Sequence, residues 1–485
     1  MIRPQIDEAK RYFKDFTVIP VSTEMFADVT TSVEVLKTFM KENKKCYLLE
    51  SVDGGESWGR YSFLGYDPKL TVKCSDNKAY INNGKSEEII TGNPADVLRK
   101  ILSKYKSPKI EYMPPFTGGL AGYFSYDYIK YVEKSLRLKA SNDRNFDDFN
   151  LMLFDKVIAF DHLKQKIFII VNVPVENFES KYPQAVKELQ NIEKLILGGS
   201  NAGDLKSGLK SDFKMLHGKE KFMEMVEKTK EHIREGDIFQ AVISNRAEAD
   251  FEGSLLQTYR VLRTTNPSPY MFYFNFGDSE IAGASPETLV TLKDGELTNY
   301  ALAGTCRRGN NMEEDDLLIA DLLKDQKELS EHNMLVDLSR NDLGKVSEFG
   351  SVRVTEYMKV LKFSHVCHIA SIITGKLKAG CDQLDALGAI LPAGTLSGAP
   401  KKRACEIIDE LEGHKRGTYG GAIGYIDFTG NMDMCIAIRM VTLKDGKVYV
   451  QAGAGVVADS NPEKEFNECR QKAEAVMSAL KEAGK

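Results

Sequence analysis

Two pairs of glutamates carry the strongest chemical signal in the sequence. Glu328 and Glu331 sit three residues apart in the stretch 328–342, and Leu335 and Leu338 continue their line at helical spacing. On a helix these four share one face, so the leucines predict that the carboxylates turn inward. A second pair with the same spacing, Glu465 and Glu468, stands near the C-terminus. Four carboxylates facing one interior repel unless protonated or gathered by a cation. An all-oxygen donor set suits Mg²⁺ or Ca²⁺, and Mg²⁺ takes one or two carboxylates together with water and substrate oxygens. Taken alone, the same pattern is more often two solvated pairs on a helix surface.

Other residues point to an anionic ligand. Gly453-Ala454-Gly455 ends a strand pattern, where bare backbone N–H groups can approach a carboxylate; a plain bulge or turn fits equally. Arg439 interrupts the apolar run 435–440 and is either an edge residue or a buried fork for a carboxylate. Gly394 to Lys401, with Thr395, reads as a loop entering a helix and lacks the spacing of a phosphate-binding loop. Gly304-Thr305 reads as a polar turn. His368, flanked by apolar residues, is more often a packed histidine than a catalytic one. These residues alone reach a Mg²⁺-dependent enzyme acting on a small polycarboxylate, and no named reaction.

The positioning elements are mixed. Strands are expected at 46–51 and 60–65 across the turn 53–56, and a helix at 94–105. A hairpin is expected between 151–160 and 166–173, followed by a helix from Pro183 to Leu197. Gly198 to Gly203 reads as a linker and divides the chain into parts 1–205 and 206–485. The second part opens with a helix at 219–235 and a strand at 238–243. It closes with strands 422–428, 434–443 and 448–452 and a final helix capped at Ser460 or Asn461. An echo links Gly118-Gly119-Leu120-Ala121-Gly122-Tyr123 to Gly420-Gly421-Ala422-Ile423-Gly424-Tyr425; six residues are too few to prove a repeat.

With 485 residues, 42% hydrophobic and 28% charged, the chain is a globular protein too long for one simple core. Net charge −5 gives no reason to expect nucleic acid. The eight cysteines are scattered without zinc-ligand spacing, as in a reducing compartment. No signal peptide or run long enough to cross a bilayer is visible, so a cytoplasmic protein without a membrane partner is expected.

Taken together, Leu48-Leu49-Glu50-Ser51, Glu331-His332 through Asp342, Gly394 to Lys401 and Gly453 to Ser460 resemble the chorismate-utilising enzyme family over essentially the whole chain, and within it the anthranilate-forming large subunits. The resemblance implies an α+β fold of two facing, largely antiparallel β-sheets with helices outside and the active site in the cleft. It implies conversion of chorismate and ammonia to anthranilate and pyruvate, the first committed step of tryptophan biosynthesis. Glu331 and Glu468, with Glu328 and Glu465 beside them, would hold Mg²⁺. Gly304, Thr305, Thr395, Tyr419, Arg439 and the backbone of Gly453, Ala454 and Gly455 would hold the substrate. Glu287 matches a general acid for the departing C4 hydroxyl, and a proton donor is physically required because hydroxide leaves poorly. His368 matches the histidine implicated in pyruvate loss.

The resemblance extends to regulation and partners. Leu49, Glu50 and Ser51, with Pro269, Tyr270 and Met271, resemble tryptophan-binding motifs, which implies feedback inhibition. No amidotransferase domain is visible, so ammonia is expected from a separate glutamine amidotransferase subunit in a hetero-oligomer. Aminodeoxychorismate synthases typically carry a nucleophilic lysine where this chain has Ala303. Isochorismate and salicylate synthases use a lysine to activate water where it has Gln240. A tryptophan-binding protein without catalysis is the remote alternative.

Overall fold

The computed structural model describes residues 1–51, 59–199, 207–309, 311–362 and 366–484. The turn expected at 53–56, and the linker and boundary expected near 200–205, lie almost wholly outside these residues. The strand pairs form two large antiparallel sheets. Thirteen strands make up the larger sheet and eleven the smaller. Three apolar clusters show the layering. One, with Tyr47, Phe63, Phe272, Tyr123, Met152 and Phe154, lies between the sheets. A second packs the larger sheet against helices that include Phe178–Gly198 and Pro462–Ala483. The third packs the smaller sheet against Pro94–Leu102, Gln326–Gly344 and Gln383–Ile390. Helix, sheet, sheet, helix is the expected α+β architecture.

Strand order shows a repeat that the sequence only hinted at. In the first half, Cys46–Glu50 and Tyr61–Tyr66 form a hairpin in the larger sheet. The chain crosses to the smaller sheet for Leu70–Ser75, Lys78–Asn82, Gly119–Phe124 and Phe149–Phe154, then returns with Lys156–Asp161 and Lys166–Pro174. In the second half, Tyr270–Asn275 and Ser279–Ser285 form the hairpin. The chain then crosses to Thr288–Lys293 and Glu296–Arg307 and continues to Ala422–Asp427 and Met432–Ile436. It returns with Met440–Lys444 and Lys447–Val456. Matching strands pair across the two joints: Cys46–Glu50 with Tyr270–Asn275, and Gly119–Phe124 with Ala422–Asp427. The echoed glycines therefore face each other, Gly122 opposite Gly424. Neither tolerates a side chain, since a Cβ would come within 2.1 Å of Asn150 O or 2.0 Å of Asp433 O. Both sheets thus contain strands from both sides of residue 205.

Two expected strands are in fact pairs. The run 151–160 breaks at Asp155 into Phe149–Phe154 and Lys156–Asp161, one in each sheet. The run 434–443 likewise breaks between Met432–Ile436 and Met440–Lys444. Continuous hydrophobicity cannot reveal such a crossing, because both sides are buried in strands. The strand expected at 238–243 runs instead over Gln240–Glu252. The helix expected from Pro183 starts earlier, at Phe178, and carries Pro183 inside it.

Candidate active site

Glu287 and Arg439 sit on the two sheet crossings of the second half, and the crossings run side by side. Ile436 N donates to Glu287 O at 3.0 Å, and Ala284 N donates to Arg439 O at 3.1 Å. Arg439 is therefore not part of a continuous apolar strand; it occupies the break, with φ +52°. Its guanidinium is half-buried and has no carboxylate within 4.0 Å among the described residues, and Nη1 donates to Lys472 O at 3.2 Å. Burial pushes its pKa down. A desolvated cation without a counter-ion is a receptor for an anion.

The return crossing also opens one edge of the next strand. Met440–Lys444 pairs with Lys447–Val456 only as far as Val441 opposite Val450. Beyond that point the strand is paired, among the described residues, on the Gln240–Glu252 side alone, with Val242 opposite Gly455 and Ser244 opposite Gly453. The N–H groups of Val242 and Ser244 donate to Ser397 O and to Glu412, away from these partners. In an antiparallel ladder the N–H groups of Gly453 and Gly455 then also point away, into the side vacated at residues 437–439. A Cβ on Gly453 would meet Tyr419 Oη at 3.0 Å, which places the Tyr419 hydroxyl at this edge. Burial raises the Tyr419 pKa, so the phenol stays protonated as a donor.

Glu287 is half-buried, and desolvation pushes its carboxyl up to about 7, against the hydrogen bond from Thr395 and the positive charge of Lys472. Thr395 Oγ1 donates to Glu287 Oε1 at 2.9 Å. A carboxylic acid protonated near neutrality is what general-acid catalysis requires. Gly394 permits the short helical turn Gly394–Leu396 to approach helix Gln326–Gly344, since a Cβ there would fall 2.2 Å from Leu338 Cδ2. Lys401 Nζ ties the same loop and helix together through Asp342 Oδ2 at 2.6 Å and Ile390 O at 2.7 Å.

Helix Gln326–Gly344 begins at Asp325, whose side chain accepts from the N–H groups of Lys327 and Glu328. Leu335 is buried and Glu328 and Glu331 are half-buried, as the leucine line predicts. Glu331 Oε1 lies 3.4 Å from Gln240 Nε2, and Glu328 Oε2 lies 3.6 Å from where a Cβ of Gly304 would stand. On the last helix, Asn461 is the cap, accepting from Glu463 N and Lys464 N. Burial raises the Glu465 pKa, and Glu468 adds to the effect. Glu468 pairs with Lys472 Nζ at 2.6 Å, which also donates to Gly453 O at 3.1 Å. The donor set is all carboxylate, as a hard dication prefers. Among the described residues no three acidic groups of this cleft come within 4.8 Å; the only such group is His232, Glu235 and Asp237, whose Asp237 is bonded to Arg403. The two glutamate pairs therefore form no ready-made carboxylate cage among the described residues; Mg²⁺ needs none, since it takes one or two carboxylates and completes its shell with water and substrate oxygens.

Gly304 is not in a turn. It is the extra residue of a bulge (φ +74°) within strand Glu296–Arg307, where pairing with Val366–Lys376 shifts between Ala303 and Thr305. The bulge puts Thr305 opposite His368. Burial lowers the His368 pKa, so its imidazole is neutral at pH 7. Glycine inside a strand pattern could have signalled this bulge. Lys472 was the residue missed by sequence reasoning, although its position four after Glu468 puts both on one helix face.

The two proposed regulatory motifs meet at the joint in the larger sheet, with Glu50 opposite Met271 and Leu49 opposite Phe272. The Glu50 carboxylate is buried and takes hydrogen bonds from Ser32 Oγ at 2.6 Å, Tyr259 Oη at 2.5 Å and Arg263 Nε at 2.9 Å. Ser51 Oγ is buried with no hydrogen-bond partner among the described residues. Pro269 and Met271 are buried. Tyr270 Oη reaches Thr288 Oγ1 and Asp433 Oδ1, each at 3.0 Å, in the other sheet.

Residues 44–478 match the chorismate binding enzyme family. The chain is 46% identical to anthranilate synthase component 1 of Acetivibrio thermocellus, covering 100% of this chain and 99% of that one. With the corresponding protein of Bacillus subtilis (strain 168) the identity is 41%, covering 96% and 92%. The crystal structure of anthranilate synthase component I from Streptococcus pneumoniae TIGR4 superposes with TM-score 0.75 at 39% identity, covering 88% of this chain and 94% of that one. The menaquinone-specific isochorismate synthase of Escherichia coli shares the fold, with TM-score 0.71 at 17% identity and 98% of each chain covered. The two facing sheets are thus those of a known architecture, and the chain belongs to the chorismate binding enzyme family.

Proposed function

We propose that this protein is the large subunit of an anthranilate synthase, adding ammonia to chorismate and eliminating pyruvate. The observation that carries the reading is the placement of two half-buried groups on neighbouring crossings: an acid with its pKa pushed up to about 7, and an arginine with no carboxylate partner among the described residues. The open N–H groups of Gly453 and Gly455, Tyr419 and Arg439 bind carboxylate oxygens. Glu287 gives its proton to the leaving C4 hydroxyl, with Thr395 orienting the acid. Mg²⁺, held by Glu331 and Glu468 with Glu328 and Glu465 nearby, supplies charge stabilisation for a substrate carboxylate when bound. Neutral His368 is poised to accept the proton released in pyruvate elimination.

Gln240 and Ala303 support ammonia as nucleophile. Glutamine cannot deprotonate water at pH 7, and alanine provides no amine to attack the ring. Ammonia needs positioning more than activation, and a separate amidotransferase subunit is its source. Chromatography of products from chorismate, Mg²⁺ and ammonium is the test. Anthranilate and pyruvate are expected; isochorismate or 4-amino-4-deoxychorismate as the main product overturns the assignment.

Tryptophan inhibition is supported by the pairing of Glu50 with Met271, which joins the two segments, and by the Ser51 hydroxyl, which has no hydrogen-bond partner among the described residues. Ser51→Phe fills that space, and an inhibitor acts only through differential affinity for two states. The variant is expected to lose tryptophan sensitivity while keeping its uninhibited rate. Unchanged sensitivity moves the site elsewhere.

A further inference from the structure

One buried ion pair touches the segments that carry Thr395, Gln240 and Tyr419. Arg416 and Glu412 stand four residues apart, each with its side chain 1% exposed, and are joined at 2.6 Å and 2.9 Å. Glu412 Oε1 also accepts from Ser244 N and Ser244 Oγ, both at 2.8 Å. The guanidinium does more than neutralise this acid. Its Nη1 donates to Leu396 O and its Nη2 to Val242 O, each at 2.6 Å. Leu396 adjoins Thr395, which holds Glu287. Val242 lies two residues from Gln240 and opposite Gly455. The plane of Arg416 also lies over the rings of Tyr126, at 4.5 Å, and Tyr419, at 5.8 Å.

We propose that Arg416, held by Glu412, is a positioning residue for the reaction: its guanidinium clamps the main chain behind Thr395 to the main chain behind Gln240 and so sets the acid and the ammonia-side glutamine in register across the substrate. The proposal rests on the chorismate-amination reading. A salt bridge needed only for stability would have no cause to spend two donors on carbonyls of two different active-site segments. Arginine suits the task because its donors lie in one rigid plane, whereas lysine offers a single point of attachment. A shift of about 1 Å in such a frame costs about 100-fold in rate.

The test uses the full-length protein with ammonium as ammonia source, and two variants. Arg416→Lys keeps the charge opposite Glu412 but cannot span both carbonyls. Arg416→Met with Glu412→Gln removes both charges, so no unpaired charge is buried if the lysine variant proves unstable. Both are expected to keep cooperative unfolding, to lose about 100-fold in kcat, and to shift the high-pH limb of the rate profile upward. The direction follows from the bond that Thr395 makes. That bond favours the ionised form of Glu287, as does Lys472, so loosening the loop leaves Glu287 protonated to higher pH. Thr395→Val should shift the limb the same way, and adding it to Arg416→Lys should shift it no further. Folded variants with parental kcat and limb overturn the clamp, as does a loss of rate with an unmoved limb. Limb shifts from Thr395→Val and Arg416→Lys that add in full overturn it too. No anthranilate from the parent protein overturns the functional reading, and the clamp's catalytic role with it; product from the parent with indifferent variants overturns the clamp alone.

Discussion

The two halves of the chain cross between the same sheets at the same places, yet only one half keeps its crossings open. In the first half the crossings hold Asp67 with Lys69, and Asp155 with Lys156. Lys69 Nζ meets Asp155 Oδ2 at 3.0 Å, and Lys156 Nζ meets Asp67 Oδ2 at 3.3 Å. The backbone is closed as well: Asn172 N donates to Asp155 O at 2.8 Å, and Pro174 has no N–H to offer. In the second half the corresponding crossings hold Glu287 and Arg439, which do not pair with each other, beside the glycine edge Gly453–Gly455. Three residues, 437–439, make the return where the first half uses Asp155 alone. The difference teaches that the topology by itself makes no active site. The proposed site lies where, among the described residues, an arginine has no carboxylate partner and a strand edge has no partner strand, features that a ligand can complete.

The comparison breaks first at its strongest claim. Glu287→Gln and Glu331→Ala are each expected to lower turnover by about 10²–10⁴-fold, through loss of a proton donor and of a metal ligand. Asp155→Asn, at a matching crossing in the first half, should stay within about twofold of the parent, because its pair is structural. Steady-state rates with circular dichroism as the fold control decide it. An Asp155 variant as impaired as the Glu287 variant would erase the distinction between the halves. Titration calorimetry with Mg²⁺ sharpens the second substitution, which should lose metal binding while the first retains it.

Arg439→Met comes next. Removing the receptor for a substrate carboxylate should lower kcat/KM by about 100-fold, within the range for truncating a charge-paired contact. No carboxylate is left stranded in the ligand-free protein, so its melting temperature should hold or rise. A marked loss of stability instead would show that Arg439 serves the fold.

The pH dependence of Glu287 gives a smaller effect with a definite sign. Its folded pKa of about 7 lies above the ordinary carboxylate value, so the folded state holds this proton more tightly than the unfolded chain. Stability contributed by the protonated group is present at low pH and is lost between the unfolded value and about 7. Glu287→Gln should therefore stabilise the protein at pH 8 more than at pH 5. Equal melting shifts at both values would contradict the desolvated, proton-holding acid.

Lys69→Met carries the smallest expected effect. The pair with Asp155 is partly solvent-exposed, and such pairs contribute about 0–1 kcal/mol. A small drop in melting temperature with unchanged kinetics is expected; altered chorismate KM would mean that the first half reaches the site.

The glutamate pairs, the helix at 219–235, the cap at Asn461 and the strands near 46–51, 60–65, 166–173, 422–428 and 448–452 were legible in the sequence because they follow from local periodicity and turn residues: Leu335 and Leu338 already aimed Glu328 and Glu331 inward. Gly453, Gly455 and Arg439 were legible as candidate anion-binding residue types against an apolar background. Their geometry was not. Nothing local distinguishes residues 434–443 as one strand from the same residues split between two sheets, since both leave the apolar side chains buried. The φ of Arg439 and the open edge at Gly453–Gly455 are consequences of that split, and the bulge at Gly304 belongs to the pairing of its strand with Val366–Lys376. The clamp of Arg416 and the acid loop of Thr395 join positions that are distant in sequence, and only the tertiary structure brings them together. Residue types and periods determined which groups could do the chemistry; the crossings between sheets, which are long-range pairing decisions, determined which of them remain free to do it.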